Sequence, residues 1–188
     1  MESIQLTLID RQLLLYDIFR SCREVSYEEI TARLPVGQKM IQRDIRTLTD
    51  AGLICVKYSR KEKAYMDSGQ TPAFCEDSKG KRYAHLKKLN RIATLMTDLA
   101  MDSESRYEDD GDEYFSCKKR YYELFPNANE KMRQRDFTQL NRIGYRIYYD
   151  NSDRRYRKWE SDGLREDFGV YRENGKLMRC TDSRYDMW

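Results

Sequence analysis

A short segment of this chain occurs twice, and the repetition limits what the chain can fold into. Gln42-Arg43-Asp44-Ile45-Arg46-Thr47-Leu48 leads into Gly52, and Gln134-Arg135-Asp136-Phe137-Thr138-Gln139-Leu140 leads into Gly144. At a fixed offset of 92 residues, seven of the fourteen positions from 39 to 52 are identical without a gap. They are Lys39/Lys131, Met40/Met132, Gln42/Gln134, Arg43/Arg135, Asp44/Asp136, Leu48/Leu140 and Gly52/Gly144. Self-similarity of this kind marks one structural unit used twice. Each copy reads as a basic helix of about four turns that closes on Gly and continues into a β-hairpin.

The 188 residues then divide into two small units. The expected boundaries are a first domain over 1–66, a linker over 67–82, a second domain over 83–159 and a tail over 160–188. With 36% of residues charged, neither unit can bury a large core. Domains of about 60 to 75 residues lie near the lower size limit for folding alone, so the two should lean on each other or on a second chain.

In the first copy, Leu13, Leu14, Leu15, Ile18 and Phe19 give residues 9–21 a broad apolar helical face. Ser26-Tyr27-Glu28-Glu29 matches a capping box, in which Ser covers free N–H groups and Glu reaches back. It opens a short second helix with Ile30 and Leu34 inward. Pro35-Val36-Gly37 makes a tight turn. A third helix follows over about 38–51, with Ile41, Ile45 and Leu48 as its buried stripe and Gln38, Lys39, Gln42, Arg43 and Arg46 opposite. Residues 53–58 and 63–66 flank Ser59-Arg60-Lys61-Glu62 and read as a hairpin. Three helices and a terminal hairpin predict a winged helix-turn-helix. Residues 67–82 hold one large apolar side chain, Phe74, and read as the linker.

The second copy opens on Leu86, Leu89, Ile92, Ala93, Leu95, Met96 and Leu99, a strong helical pattern. His85, the only histidine, has no Cys or Asp at catalytic spacing and is expected at a helix end or on the surface. The acidic segment 101–114 carries one Arg against seven acids. It reads as a solvated loop, with competition for the basic face as the alternative. A short helix over 118–125, a turn at Asn127-Ala128-Asn129 and a third helix over 129–143 follow. Strands over 146–150 and 154–159 surround Asn151-Ser152-Asp153. Arg133 stands where the first copy has Ile41, so the second helix is either rotated or has its first turn at the core edge. In the tail, Asn174-Gly175 suits a two-residue type I′ turn between residues 168–171 and 176–178. A lone hairpin is marginal in water, so this one should pack on the second domain or pair with a partner chain.

Charge is unevenly placed. Residues 115–159 hold twelve Lys/Arg against five Asp/Glu, and residues 1–66 hold eleven against nine. A basic block that coincides with a repeated motif points to a polyanionic partner. Five cysteines (22, 55, 75, 117, 180) form no ligand spacing, which fits a reduced, cytoplasmic protein. Cys22 and Cys55 read as core fillers. No secretory leader and no apolar run near the roughly 20 residues of a membrane span is evident. No phosphate loop, paired metal-ligand motif or nucleophile with a base at useful spacing is present. The expectation is therefore not an enzyme, with no metal and no cofactor.

Ser26-Tyr27-Glu28-Glu29-Ile30, the run from Gln42 to Leu48, and Ala51-Gly52-Leu53 together resemble the DNA-binding module of DeoR-type bacterial regulators, including those with a WYL domain. The resemblance covers roughly residues 8–66. It implies a bacterial transcription factor whose third helix enters the major groove, with Gln38, Lys39, Gln42 and Arg46 facing bases. Arg43 and the wing, with Arg60 and Lys61, would meet phosphates. The helix start, Val36-Gly37-Gln38-Lys39-Met40, departs from the usual Ser/Thr-rich pattern, so the family's sequence preference does not carry over. No effector domain stands beside the module, which argues against a small-molecule effector.

The fold expected is mainly α with small β-hairpins, an α+β chain of tandem winged helix-turn-helix domains. The function expected is sequence-specific binding of double-stranded DNA in transcription regulation, by a homodimer joined through the apolar 86–99 helix and the tail hairpin. Lys131, Arg133, Gln134 and Arg135 of the second helix, with Arg154, Arg155 and Arg157 of the second wing, complete the candidate DNA contacts. Lys39 and Arg46 can donate to guanine, and Gln42 can pair with adenine. The alternatives are a winged-helix protein-interaction module and a plasmid or phage replication initiator. A flat salt response would mark the first, and binding to iterated origin repeats the second.

Overall fold

A computed structural model describes residues 6–105, 116–151, 154–158, 170–173 and 176–179. Among these the chain is mixed α and β, with six helices and three small antiparallel sheets. It separates into two compact units, one of residues 1–90 with 169–188 and the other of residues 91–168.

In the first unit, helix α1 (Leu8–Ser21) starts at Thr7, whose hydroxyl accepts from the Asp10 N–H while the Asp10 carboxylate accepts from the Thr7 N–H. Strand β1 (Glu24–Ser26) follows, too short to announce itself by alternation in the sequence. Ser26 then caps α2 (Tyr27–Arg33) through the foreseen capping box with Glu29. That contact holds the Glu29 carboxyl below its ordinary pKa. Helix α2 stops short of Pro35, which disfavours helical geometry in the residue before it. Helix α3 (Gln38–Asp50) leads to strands β2 (Val56–Ser59) and β3 (Ala64–Asp67), a hairpin that β1 joins in the order β1-β3-β2. Leu13, Leu15, Ile30, Leu34, Ile41 and Leu48 are fully buried and form the core. Each buried Leu or Ile contributes roughly 1.5–3 kcal/mol.

Several sequence expectations need correction. On α3 the buried stripe is Ile41, Asp44 and Leu48, with Ile45 only half-buried. Cys22 is exposed and Cys55 half-buried, so neither fills the core. Residues 67–82 are not a free linker. Phe74 forms a β-bridge with Ala51, the Cys75 N–H donates to the Asp50 carbonyl, and the Phe74 ring meets Tyr83 edge-on at 5.7 Å. Lys87 lies over Phe74 at 4.5 Å.

Helix α4 (Gly80–Ser105) is 26 residues long, and the unit boundary falls inside it. Its apolar stripe from Leu86 to Leu99 is buried within the chain, so the surface expected to join a homodimer is already covered. In the second unit, α5 (Cys117–Leu124) and α6 (Glu130–Arg142) precede the hairpin β4 (Ile147–Asp150) and β5 (Arg155–Lys158). Tyr121, Phe137, Leu140 and Ile143 are buried. Tyr121 meets Phe125 and Phe137 edge-on at 5.2 and 5.8 Å. Of the segment 101–114 expected as a loop, residues 101–105 instead continue helix α4, and residues 106–114 lie outside the described residues.

The tail hairpin pairs β6 (Val170–Glu173) with β7 (Lys176–Arg179), Glu173 opposite Lys176. Asn174 and Gly175, the expected turn, lie outside the described residues. The hairpin belongs with the first unit, where β6 lies against α2, and not with the second as expected.

Both copies of the repeat end their third helix alike. Gly52 and Gly144 have φ of +67° and +105°. The Leu53 N–H donates to Leu48 and the Gly52 N–H to Thr49, while Tyr145 donates to Leu140 and Gly144 to Asn141. This is the Schellman closure, which satisfies carbonyls that a helix end would leave free.

Candidate nucleic-acid interface

One aspartate fixes which face of α3 points outward. Asp44 is fully buried. It accepts from Arg11 Nε at 2.5 Å and Nη2 at 3.1 Å, and from Gln12 Nε2 at 3.1 Å, all on α1. A carboxylate buried without partners would be strongly unfavourable, so rotating α3 about its axis is penalised. With Gln12 Nε2 donating to Asp44, its Oε1 is left to accept from His85 Nε2 at 2.8 Å. His85 is thus half-buried inside a polar network and not a surface histidine, and burial lowers its pKa.

Held this way, α3 exposes Gln38, Lys39, Gln42, Arg43 and Arg46. Lys39, Arg43 and Arg46 pair with no acid among the described residues. Burial raises the pKa of Tyr65, and the neighbouring Gln42 side chain offsets part of the rise. Gly37 provides no side-chain cap and the first turn holds no acid, so the positive end of the helix is unneutralised. Asp50, farther along, is taken up by Arg82. Met40 adds an exposed apolar side chain. At the hairpin tip Arg60 and Lys61 are exposed, Lys61 lying 3.5 Å from Glu62. Lys63 adopts a φ of +51°.

The second unit repeats the anchor but not the face. Asp136 is fully buried and accepts from Arg91 Nε at 2.6 Å, Arg91 Nη2 at 3.0 Å and the Tyr121 hydroxyl at 2.7 Å. Burial and this contact push the Tyr121 pKa well up. Arg133, expected among the DNA contacts, is buried with 1% of its side chain exposed. Its guanidinium stacks over Phe137 at 4.8 Å and Tyr156 at 4.4 Å and donates to Glu130 at 2.5 and 3.1 Å. Arg133 therefore does Ile41's packing work, which its charge hid in the sequence. Tyr122 also donates to Glu130 at 2.6 Å, and the two contacts draw the Glu130 carboxyl down to about 2.

Lys131, Gln134 and Arg135 remain exposed on α6, but Gln134 donates to Glu130 at 3.4 Å, and Asn129 caps the helix start. Arg154 is exposed at the second hairpin tip with φ of +51°. Of Arg155 and Arg157 only the strand backbone is described. Asp44 and Asp136 are the anchoring positions that charge reasoning missed; their identity in both copies was the available signal. Among the described residues no group of three His, Cys, Asp or Glu could hold a metal ion, and no helix is long and apolar enough to cross a membrane. Comparisons with family models, with curated proteins and with solved structures each gave no match to this chain.

Proposed function

We propose that this chain is a sequence-specific double-stranded DNA-binding regulator of transcription, built as two winged helix-turn-helix units, with α3 as the helix that enters the major groove. The observation that carries the reading is the outward face of α3. It sets five exposed polar residues, three of them cationic and without acidic partners among the described residues, on a helix whose opposite face is locked by Asp44.

A helix of this diameter fits the major groove of B-DNA, where each base pair presents its own donor and acceptor pattern. Lys39 and Arg46 supply donors for guanine O6 and N7, and Gln42 supplies the amide pair suited to adenine. Arg43, Arg60 and Lys61 supply phosphate contacts, which give affinity without sequence information. Helix α6 supports a lesser part in reading bases, because Arg133 is buried and Gln134 is engaged by Glu130.

The test is selection of bound duplexes from a random pool, followed by the double variant Lys39→Ala, Gln42→Ala. The variant should lose about 1–3 kcal/mol of discrimination per base contact while keeping weak binding to random duplex. Parent affinity should fall by decades between low and moderate salt through counterion release. Full selectivity in the double variant, or no duplex binding by the parent at low salt, would overturn the reading.

A further inference from the structure

The two hairpins share one device that the repeat of the third helix does not predict. With the offset reduced to 91, β2 and β3 align on β4 and β5. Of the eight strand positions only Tyr58/Tyr149 and Tyr65/Tyr156 are identical. In each hairpin the two tyrosines sit directly opposite one another. Their ring centroids are 5.1 Å apart in both, at interplanar angles of 62° and 65°.

The inner ring of each pair is anchored. Tyr65 meets Phe19 edge-on at 6.0 Å, and Tyr156 meets Phe137 at 5.7 Å beneath the Arg133 guanidinium. The outer rings, Tyr58 and Tyr149, are 47% and 46% exposed. An exposed cation in the left-handed conformation, Lys63 or Arg154, precedes the second strand of each hairpin. That backbone geometry is uncommon outside glycine, so both hairpin tips hold a charge where Gly would be less strained.

Packing accounts for the inner tyrosine. It does not account for an outer tyrosine that leaves half its surface in water at the same place in both units. A rigid ring with a hydroxyl, braced from below on a hairpin whose tip carries an exposed cation, suits the sugar–phosphate backbone of a duplex. There the hydroxyl donates to a phosphate oxygen, the ring covers deoxyribose, and the cation replaces a counterion.

We propose that Tyr58 and Tyr149 are matched backbone contacts to duplex DNA, so that the second unit, which lacks the open face of α3, grips DNA through its hairpin. This rests on the DNA-binding reading above.

The experiment uses the full chain with Tyr58→Phe, Tyr149→Phe and the corresponding Ala variants. Binding is read by fluorescence anisotropy against a labelled random-sequence duplex, the selected duplex and a mixed-sequence single strand. Each Phe variant should keep the parent melting temperature and lose about fivefold in affinity for both duplexes, the worth of one hydrogen bond. The selectivity ratio and the salt slope should stay unchanged, because no charge is removed. The Ala variants should lose more. Parent-like duplex binding by both Tyr149 variants, or a loss confined to the single strand, would overturn the proposal. If the parent binds duplex and the α3 double variant loses selectivity while the tyrosine variants bind normally, only this inference fails. A parent that binds no duplex overturns both.

Discussion

Ile41 and Arg133 occupy the same position of a repeated helix and fill it in opposite ways. In the first unit an apolar side chain packs with no exposure. In the second, an arginine packs as a flat aromatic-stacking plate and sends its charge to Glu130 at the helix edge. The difference teaches that a charged residue on an amphipathic helix is not automatically a surface residue. Guanidinium is planar and weakly hydrated, so it stacks where ammonium would not. The exchange also changes the outer face: the acid needed to pair the buried arginine stands where α3 has Gln38, and it engages Gln134. One core substitution therefore accompanies a helix less open to a polyanion.

Swapping the two residues tests that difference most severely. Ile41→Arg should destabilise the first unit by upwards of about 4 kcal/mol, since its charge would be buried without a partner. Arg133→Ile should cost far less, because the Glu130 carboxylate it leaves behind is half exposed and can be hydrated. Urea unfolding followed by residue-resolved NMR separates the units. An intact Ile41→Arg unit would show that the two cores are interchangeable after all.

The shared anchor comes next. Asp44→Ala and Asp136→Ala each strand a half-buried arginine and a fully buried donor, Gln12 or the Tyr121 hydroxyl. Each should cost about 3–5 kcal/mol. Equal losses in the same NMR-monitored titration would support one anchor used twice; a gap of more than about 1 kcal/mol would separate the copies here too.

The smallest effect belongs to Glu130. Its carboxyl titrates near 2 when folded, below its ordinary 4.5, because Arg133 and then Tyr122 hydrogen-bond the charged form. A depressed acid adds stability above its unfolded pKa and loses it as pH falls through the folded value. The second unit should therefore lose stability between about pH 4.5 and 2, by less than about 1 kcal/mol since Glu130 is half exposed. Glu130→Gln should flatten that window in an acid titration. An unchanged slope would place the acid sensitivity elsewhere.

Much of the helical framework was legible in the sequence because its signals are local. Apolar spacing, the Ser26 capping box and the terminal glycines are all set within a turn or two of the residues that show them. What escaped depends on partners far away in the chain. Asp44 meets Arg11 across 33 residues, and Asp136 meets Arg91 across 45. Phe74 looked like part of a linker because its bridge partner, Ala51, lies outside any local pattern. Strand β1 was invisible because three residues carry no period, and the tail hairpin's place against α2 is a long-range fact. On the interface, the exposure of Gln38, Lys39, Gln42, Arg43 and Arg46 followed from periodicity, whereas the burial of Arg133 required knowing that two aromatic rings would meet it.

The Asp44 anchor has a consequence for how freely this chain can change. Because Arg11 and Gln12 determine the set of α3 from inside, its outward side chains carry little of the fold. Positions 38, 39, 42, 43 and 46 can be randomised together as a library on an unchanged scaffold. On the proposed reading of α3, stability and recognition are then separate traits, and new binding preferences can be selected without first repairing the protein.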